Sequence, residues 1–372
     1  MSRFDFLIVG SGMAGAGAAY ELADRASVLL LERESAHGYH TTGRSAALYI
    51  EAYGNAVIRS LTRSSRAFFE APPEGFCDYP LLTPRGCLYV ARPDQAEALA
   101  AMSAETNGTM EPLSRDAALA LVPSLRPEYV SAGLLEAAAM DADVEALHRG
   151  FLRGARQRGA DVRLDQNVTA IAPLGDAFRV TCADGATYEA KVVINAAGAW
   201  ADEVAGLAGV APVGLQPMRR TALIIDAPPG VDVRAWPAVI DVDEQFYFKP
   251  DAGRILASPA DETPSEPHDA WADDMDVAIC IDRIQTAADI PVQRVVRSWA
   301  GLRNFVADRS PVIGFDDKVP GFFWLAGQGG YGVQTAPAAA RTAAALALGE
   351  PLPADIAANG VSVASLSPTR VR

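Results

Sequence analysis

The chain has 372 residues, half of them hydrophobic and 21% of them charged, with a formal net charge of −14. This length is ample for a large core and suggests two closely joined domains, while the acidic balance argues against binding nucleic acid through general electrostatics. Four scattered cysteines and four histidines show no metal-ligand spacing, so we expect a reducing compartment and no metal. Without a recognisable signal peptide or an uncharged apolar span of 18 residues, we expect a cytoplasmic protein with no transmembrane segment.

The first predicted elements form a dinucleotide-binding unit. Residues 4–9 predict a buried strand and residues 14–23 a helix. Between them the glycines of a G-x-G-x-x-G pattern are Gly10, Gly12 and Gly15. The first permits a tight turn, the second lets a pyrophosphate approach the backbone, and the third lets helix and strand pack closely. The N-terminus of the helix then directs N–H groups at the phosphates.

Glu32 ends the second apolar run, about 20 residues after the glycines. An acidic residue at this position accepts hydrogen bonds from a ribose 2′-OH and repels a 2′-phosphate, so NADP is disfavoured. The pattern alone leaves NAD and FAD open. The next stretch, residues 37–47, is irregular and glycine-containing and predicts a nest of backbone donors followed by a helix with small residues at its start. This is a poor continuation of a nicotinamide-type domain and favours FAD.

The remaining elements follow in order along the chain. We predict an amphipathic helix (143–158), short strands (161–164 and 168–172), a hairpin with an Asp-Gly turn (178–190), a buried strand (192–200), an antiparallel sheet (219–258), a strand (321–326) and a helix (335–348). On the middle strand of that sheet, alternation puts Phe246 and Phe248 on one face and Tyr247 on the other, and the polar face is a candidate pocket wall. We expect the proline-rich tail after Gly349 to lie on the surface.

Six motifs taken together resemble the D-amino-acid oxidase superfamily of flavoproteins, in particular bacterial D-arginine and D-amino-acid dehydrogenases. They are GSGMAG (10–15), GYHTTGRSA (38–46), AYG (52–54), NAAGAW (195–200), WAGLR (299–303) and GQGGYG (327–332). The resemblance implies an α/β fold in which a Rossmann-like FAD-binding domain carries an inserted substrate domain built on an antiparallel sheet. It implies residues 1–82, 141–212 and 305–372 for the FAD-binding domain and residues 83–140 and 213–304 for the substrate domain.

The implied cofactor is non-covalent FAD, and the implied reaction is hydride transfer from Cα of an amino acid to flavin N5. The imine product hydrolyses to a 2-oxo acid and ammonia. The motifs and the resemblance together assign cofactor binding to Gly10, Gly12, Met13, Ala14, Gly15, Glu32, Arg33, Thr42, Gly43, Arg44, Ser45, Ala46, Ala47, Val168, Ala197, Gly198, Trp200, Gly301, Gly329, Gly330, Tyr331, Gly332, Gln334 and Thr335. A helix that begins near Thr335 directs its positive end at the flavin, where negative charge develops on reduction.

Oxidation of an amino acid requires a rigidly held carboxylate, which a guanidinium binds through two parallel charge-assisted hydrogen bonds. The resemblance points to Arg220 and Arg303, with Tyr53 and Tyr247 supplying hydroxyls and Gly330 allowing a backbone carbonyl near the substrate amine. No side-chain base is required, because a deprotonated amine itself favours hydride release.

The expected substrate pocket contains Leu48, Glu51, Cys87 and Glu244. In the D-arginine enzymes the position of Cys87 is a glutamate that binds the distal guanidinium, and the position of Leu48 is a histidine. A cationic side chain buried against Leu48 and Cys87 would lose solvation without compensation. We therefore expect neutral or apolar D-amino acids as substrates, unless Glu51 turns into the pocket and replaces the missing acid.

Several alternatives remain open. The same carboxylate clamp serves an oxidase or dehydrogenase of a secondary amine, such as sarcosine or an N-substituted amino acid, or of a 2-hydroxy acid. Three classes of electron acceptor stay open: a quinone, an electron carrier and oxygen. A non-catalytic protein that binds flavin or NAD is the alternative from another class.

Overall fold

The computed structural model describes residues 3–372. Residues 1 and 2, the start of the implied FAD-binding segment 1–82, lie outside the described residues. The strands are β1 (Arg3–Val9), β2 (Val28–Leu31), β3 (Leu48–Tyr49), β4 (Leu82–Pro84), β5 (Cys87–Ala91), β6 (Glu111–Ser114), β7 (Ala132–Glu136), β8 (Met140–Ala142), β9 (Asp161–Arg163), β10 (Val168–Leu174), β11 (Ala177–Cys182), β12 (Thr187–Asn195), β13 (Gln216–Ile225), β14 (Ala238–Asp241), β15 (Tyr247–Asp251), β16 (Arg254–Ser258), β17 (Thr263–Pro264), β18 (Val295–Phe305), β19 (Val312–Phe315) and β20 (Phe322–Ala326). The helices are α1 (Met13–Leu22), α2 (Ala56–Glu70), α3 (Ala96–Glu105), α4 (Arg115–Leu121), α5 (Val144–Gln157), α6 (Ala201–Leu207), α7 (Asp274–Ala287), α8 (Ala336–Ala347) and α9 (Ala354–Ala358).

The first sheet has a parallel centre in the order β20-β12-β1-β2-β9. Side chains of β1 alternate between two cores, because successive strand residues point to opposite faces. Phe6 and Ile8 pack with α1, α5 and α8, whereas Leu7 and Val9 pack with α6 and the hairpin β11–β12. Burial on both faces explains why β1 and β2 read as nearly continuous apolar runs. The predicted α/β fold with a Rossmann-like unit is confirmed.

The second sheet runs β17-β13-β16-β15-β14-β5-β7-β6, with β18 also paired to β13. All of its pairs are antiparallel except β14 with β5. Phe246 and Phe248 face the core beneath α7, as alternation predicts, and Tyr247 faces the other way. A small third sheet, β3-β8-β4, lies where the chain passes between the two large ones. Strands β4 and β8 coincide with two of the domain boundaries implied by the resemblance, and that division stays a prediction.

The strand predicted over 192–200 ends at Asn195, and a 3-10 turn, Gly198–Trp200, follows it. Two other local predictions are wrong. The expected helix after residues 37–47 is absent: a single 3-10 turn, Thr42–Arg44, leads into extended chain and β3, and the next helix is α2. Hydrogen bonds from distant residues explain this, since the Arg44 carbonyl accepts from Trp299 Nε1 and its side chain donates to the Ala300 carbonyl. The tail after Gly349 is also more than a surface segment, because Ile356 and Leu366 are fully buried. No helix within residues 3–372 is long and apolar enough to cross a membrane.

Candidate functional site

One elongated cavity of about 490 Å³ joins the first sheet to the second. At one end it is lined by Gly10 and Glu32, which follow β1 and β2 at their carboxyl ends. At the other end it is lined by Arg220 and Arg303, from β13 and β18. Ligands of open α/β sheets bind beyond the carboxyl ends of the strands, and this cavity occupies that position.

The first end has the geometry of a phosphate and ribose site. Gly10 has φ +101°, and a Cβ on Gly15 would lie 1.9 Å from the Gly10 carbonyl oxygen, so the turn requires both glycines. Helix α1 begins without a side-chain cap from its N-cap residue Gly12 and without an acidic residue in its first turn. The Met13 N–H donates to Thr42 Oγ1 at 3.0 Å, and the positive end of the helix dipole favours an anion in the cavity.

Ser11 is a site residue that sequence reasoning missed. Its backbone N–H and its hydroxyl both donate to Glu32 Oε2 at 2.8 Å, which fixes the carboxylate at the cavity wall. The Ser11 carbonyl lies 2.7 Å from Nε2 of His148, which is buried on α5, and the Ser11 hydroxyl lies 2.8 Å from Nδ1 of His37. Burial lowers the pKa of both histidines. The variable second position of the glycine pattern carries no signal that could have revealed this role.

Most of the predicted cofactor ligands line the cavity. They are Gly10, Gly12, Met13, Ala14, Glu32, Arg33, Thr42, Arg44, Ser45, Ala46, Val168, Ala197, Gly198, Trp200, Gly301, Gly329, Gly330 and Gly332. The Arg33 guanidinium lies 3.8 Å from the centre of a Trp200 ring, so the two side chains form one wall through a cation–π contact.

Six predicted ligands do not line the cavity and have other contacts. Gly15 and Gly43 are explained by close packing, because a Cβ on Gly43 would lie 2.7 Å from the Gly38 carbonyl oxygen. Gln334 binds the Ile50 backbone and Thr62, and the Thr335 hydroxyl donates to the Tyr331 carbonyl at the start of α8. The other two are Ala47, next to β3, and Tyr331, which packs against Tyr53. Gly332 and Val333, just before α8, do line the cavity.

Strand register brings the two arginines together at the second end. Arg220 on β13 lies opposite Gly301 on β18, and Arg303 is two residues further along the same strand. Residues two apart on a strand share a face, so the two guanidinium side chains are diagonal neighbours. Arg219 lies opposite Leu302 and faces away, where it donates to Asp276 at 2.7 Å.

Arg303 is the cation without an acidic partner at this end. Its Nη1 donates to the Tyr53 hydroxyl at 3.2 Å, and no carboxylate among residues 3–372 lies within ion-pair distance of it. A Cβ on Gly330 would lie 2.8 Å from Arg303 Cζ, so the guanidinium packs directly on the Gly330 backbone. Burial raises the pKa of Tyr53, so its hydroxyl stays protonated and able to donate.

Arg220 is buried and already partly neutralised. Its Nε donates to the Asp261 carbonyl at 2.7 Å, and its Nη2 donates to Glu262 Oε1 at 3.2 Å. The same carboxylate oxygen accepts from Arg309 at 2.8 Å, so one acid serves two guanidinium groups. The site consequently keeps a positive balance in a protein of net charge −14, which favours an anionic group of a ligand.

The four predicted substrate-pocket residues do not line the cavity. Leu48 and the fully buried Cys87 belong to an apolar cluster that also contacts Tyr53 and Tyr247. Glu51 accepts from Tyr49 at 2.9 Å and from Arg66 at 3.0 Å, so its carboxylate is engaged outside the cavity. The alternative in which Glu51 turns into the pocket and supplies a distal acid finds no support in this geometry. Glu244 is exposed in the turn after β14, at φ +53°.

Two further polar atoms in the cavity wall lack partners. Asn304 Oδ1 and Gln328 Nε2 are buried, line the cavity and have no hydrogen bond to any described residue. Buried polar groups without partners are rare, which points to a ligand with complementary donors and acceptors. An elongated dinucleotide with a polar ring system fits this cavity: phosphate at α1, ribose at Glu32, and ring polar groups near Asn304 and Gln328.

Comparison with known proteins identifies the family. The model for the DAO family, described as FAD dependent oxidoreductase, matches residues 5–346. The chain belongs to this family of FAD-dependent oxidoreductases. FAD is therefore its cofactor, as expected from the sequence. The narrower resemblance to D-arginine dehydrogenases is not shown by these comparisons.

The relatives of this FAD-dependent oxidoreductase are distant. The oxidoreductase YurR of Bacillus subtilis is 27% identical over 67% of the chain and 66% of its own length, so the match spans just under two thirds of that relative. Glycine oxidase of Bacillus licheniformis is 25% identical over 94% of both proteins. The crystal structure of glycine oxidase from Geobacillus kaustophilus superposes with a TM-score of 0.85 at 22% identity, over 100% of this chain and 99% of the other.

Proposed function

We propose that this FAD-dependent oxidoreductase oxidises amines that carry a carboxylate, and specifically neutral or apolar D-amino acids. The observation that carries the proposal is the Arg303 guanidinium, which faces the cavity with a tyrosine hydroxyl as its partner and no acid. A cation held in this way at a cavity wall is a receptor for a carboxylate. Arg220 and Tyr247 line the same end of the cavity and complete the clamp.

The residues of the chain bind and orient the substrate. Arg303 and Arg220 hold the carboxylate, and the Tyr53 and Tyr247 hydroxyls fix its direction, so that the amine-bearing carbon has one orientation. The residues at the nucleotide end of the cavity would hold FAD, which would supply the two-electron acceptor for a hydride from that carbon. The Gly330 backbone packs directly against the Arg303 guanidinium, and its carbonyl is the proposed acceptor for the substrate amine.

No side chain needs to remove a proton from carbon. The substrate amine loses its ammonium proton to solvent, and its lone pair then favours departure of the hydride. The resulting imine reacts with water and gives a 2-oxo acid and ammonia. Tyr53 is unsuited to be the base at neutral pH, because burial raises its pKa.

The apolar cluster beyond the clamp supports neutral or apolar substrates. The resemblance places Leu48 and Cys87 where the D-arginine enzymes have a histidine and a glutamate. In this structure both belong to an apolar cluster, and Glu51 is bound to Arg66. A cationic substrate side chain would find no free counter-charge there, because the neighbouring Glu136 carboxylate already accepts from the backbone N–H groups of Glu51 and Ala52. A panel of D-amino acids tests this: kcat/KM should be higher for D-alanine or D-leucine than for D-arginine, and the reverse order would contradict the assignment.

Oxidation of glycine or a secondary amine is the second candidate. The similarity to glycine oxidases over nearly the whole chain favours it, and the clamp would bind these carboxylates equally well. Glycine, sarcosine and the D-amino acids in one assay with an artificial electron acceptor separate the two candidates. Oxygen consumption measured in parallel separates an oxidase from a dehydrogenase.

A further inference from the structure

Glu136 at the end of β7 is a buried carboxylate that the reaction described above does not use. Only 5% of its surface is exposed, and it lies opposite Cys87 in the register of β5 and β7. Its Oε1 accepts from the backbone N–H of Glu51 at 2.8 Å, and its Oε2 accepts from that of Ala52 at 3.3 Å. The cost of burying the charge is thus offset by two backbone hydrogen bonds.

These two N–H groups belong to the turn that carries Tyr53. The next residue after Ala52 is Tyr53 itself, and its hydroxyl accepts from Arg303 Nη1 at 3.2 Å. The ring of Tyr53 also packs edge-on against Tyr331 at a centroid distance of 4.9 Å. A continuous chain of contacts therefore runs from the Glu136 carboxylate through the turn to the unpaired guanidinium.

We propose that Glu136 is a positioning residue, whose carboxylate holds the turn at Glu51 and Ala52 and thereby places Tyr53 and Arg303 for binding the substrate carboxylate. This inference rests on the proposed function, because it assumes that Arg303 binds a carboxylate. Glu136 touches neither the cavity nor the reacting atoms, so it acts through Tyr53 alone.

Protonation of Glu136 is expected to weaken this arrangement. Burial raises the pKa of Glu136 to about 7, against the pull of its two backbone hydrogen bonds. The ionisable groups that face it are Glu51 in the turn and Cys87 and Tyr89 on β5. A neutral carboxyl group is a weaker acceptor for two N–H groups than a carboxylate, so the turn is held less firmly as the pH falls through 7.

Propionate is a suitable probe, because it has the substrate carboxylate but no amine to titrate. Its binding to the oxidised holoenzyme is followed by the flavin absorbance between pH 6 and 8.5. For the wild-type protein we expect the Kd to rise as the pH falls through 7. For Glu136→Gln we expect a Kd about tenfold higher at pH 8, since one charge-assisted hydrogen bond is lost, and little dependence on pH. Glu136→Asp keeps a carboxylate and should restore the pH dependence.

Asp316 provides the matched control for a general loss of stability. It is also a buried carboxylate that accepts from two successive backbone N–H groups, those of Lys318 and Val319, but it lies directly after β19 and does not line the cavity. Asp316→Asn should lower Tm without changing the Kd of propionate or its pH dependence. If Glu136→Gln, with its FAD retained, matches the wild type in both readouts, the positioning role is wrong.

Failure of the proposed function gives a different result. If the wild-type holoenzyme neither binds propionate nor loses its flavin absorbance with any amino acid, the proposed function fails and this inference fails with it. If the wild type does both and Glu136→Gln behaves identically, only the role of Glu136 is overturned.

Discussion

Arg303 is the residue on which the proposed chemistry depends most. Its only side-chain hydrogen-bond partner among residues 3–372 is the Tyr53 hydroxyl, whereas Arg220 is already bound to Glu262. Substrate binding should therefore change the surroundings of Arg303 more than those of Arg220. The sequence could indicate both arginines only through motif resemblance, because the register that makes them neighbours joins strands about 80 residues apart.

We expect Arg303→Met to raise KM by about 10- to 100-fold, because charge-assisted hydrogen bonds contribute about 1.5–3 kcal/mol each. FAD content should be unchanged, since the nucleotide end of the cavity lies elsewhere. Steady-state kinetics and the flavin absorbance of the purified variant measure both.

Arg219→Met is the matched control for the arginine variants. It removes a guanidinium from β13 on the face opposite Arg220, where its partner is Asp276. KM should stay near the wild-type value. A KM for Arg219→Met that rises as much as that of Arg303→Met would mean that the clamp has been assigned to the wrong face of the sheet.

Glu136 also predicts how stability depends on pH. Its folded-state pKa of about 7 lies above the ordinary value of 4.5, so the folded protein holds this proton more tightly than the unfolded chain does. The resulting stabilisation is complete below pH 4.5 and is lost as the pH rises through 7, by up to about 3 kcal/mol. Denaturant titrations at pH 5 and pH 8 give the free energy of unfolding at each pH. Between these two values it should fall more for the wild type than for Glu136→Gln. An equal fall in both proteins would contradict the raised pKa of Glu136.

At the scale of elements, the unit β1-α1-β2 was the most predictable part of the chain. Its strands are buried on both faces and therefore appear as apolar runs, and its turn requires glycine. Both features can be recognised in the sequence without knowledge of distant contacts. The helix expected after residues 37–47 was predicted wrongly, because the conformation there depends on partners such as Trp299 and Ala300, which local pattern does not reveal. The same reason explains why the roles of Ser11 and Asn304 were missed.

We expect Gly15→Ala to abolish FAD binding, because the new Cβ would lie 1.9 Å from the Gly10 carbonyl oxygen and would force α1 away from the turn. Gly206→Ala in α6 is the matched control, as a Cβ there meets nothing within 4 Å. It should keep FAD and gain up to about 1 kcal/mol of stability from helix propensity. Flavin absorbance and thermal unfolding of both variants test this, and a Gly15→Ala protein with full FAD content would contradict the packing argument.

At the scale of the whole molecule, one cavity connects two sheets, and the chain passes from one sheet to the other several times, with a group of strands in each before it crosses. Segments far apart in sequence therefore meet at the cofactor, and FAD binding should stabilise both sheets together. Adding FAD to the apoprotein at 100 times its Kd should stabilise the folded state by about 2.7 kcal/mol. Thermal unfolding with and without FAD measures the effect, with NAD as the control; stabilisation by NAD alone would contradict the assignment of the cavity.

The most direct test of the central claim is anaerobic reduction of the purified holoenzyme, followed by its flavin absorbance. Neutral D-amino acids such as D-alanine and D-leucine should bleach the flavin band of the wild type. The corresponding amines without a carboxylate, ethylamine and isoamylamine, should not do so at the same concentrations, because Arg303 has nothing to bind. Equal bleaching by both sets would contradict the carboxylate clamp, and no bleaching by any amine that carries a carboxylate would contradict the proposed function itself.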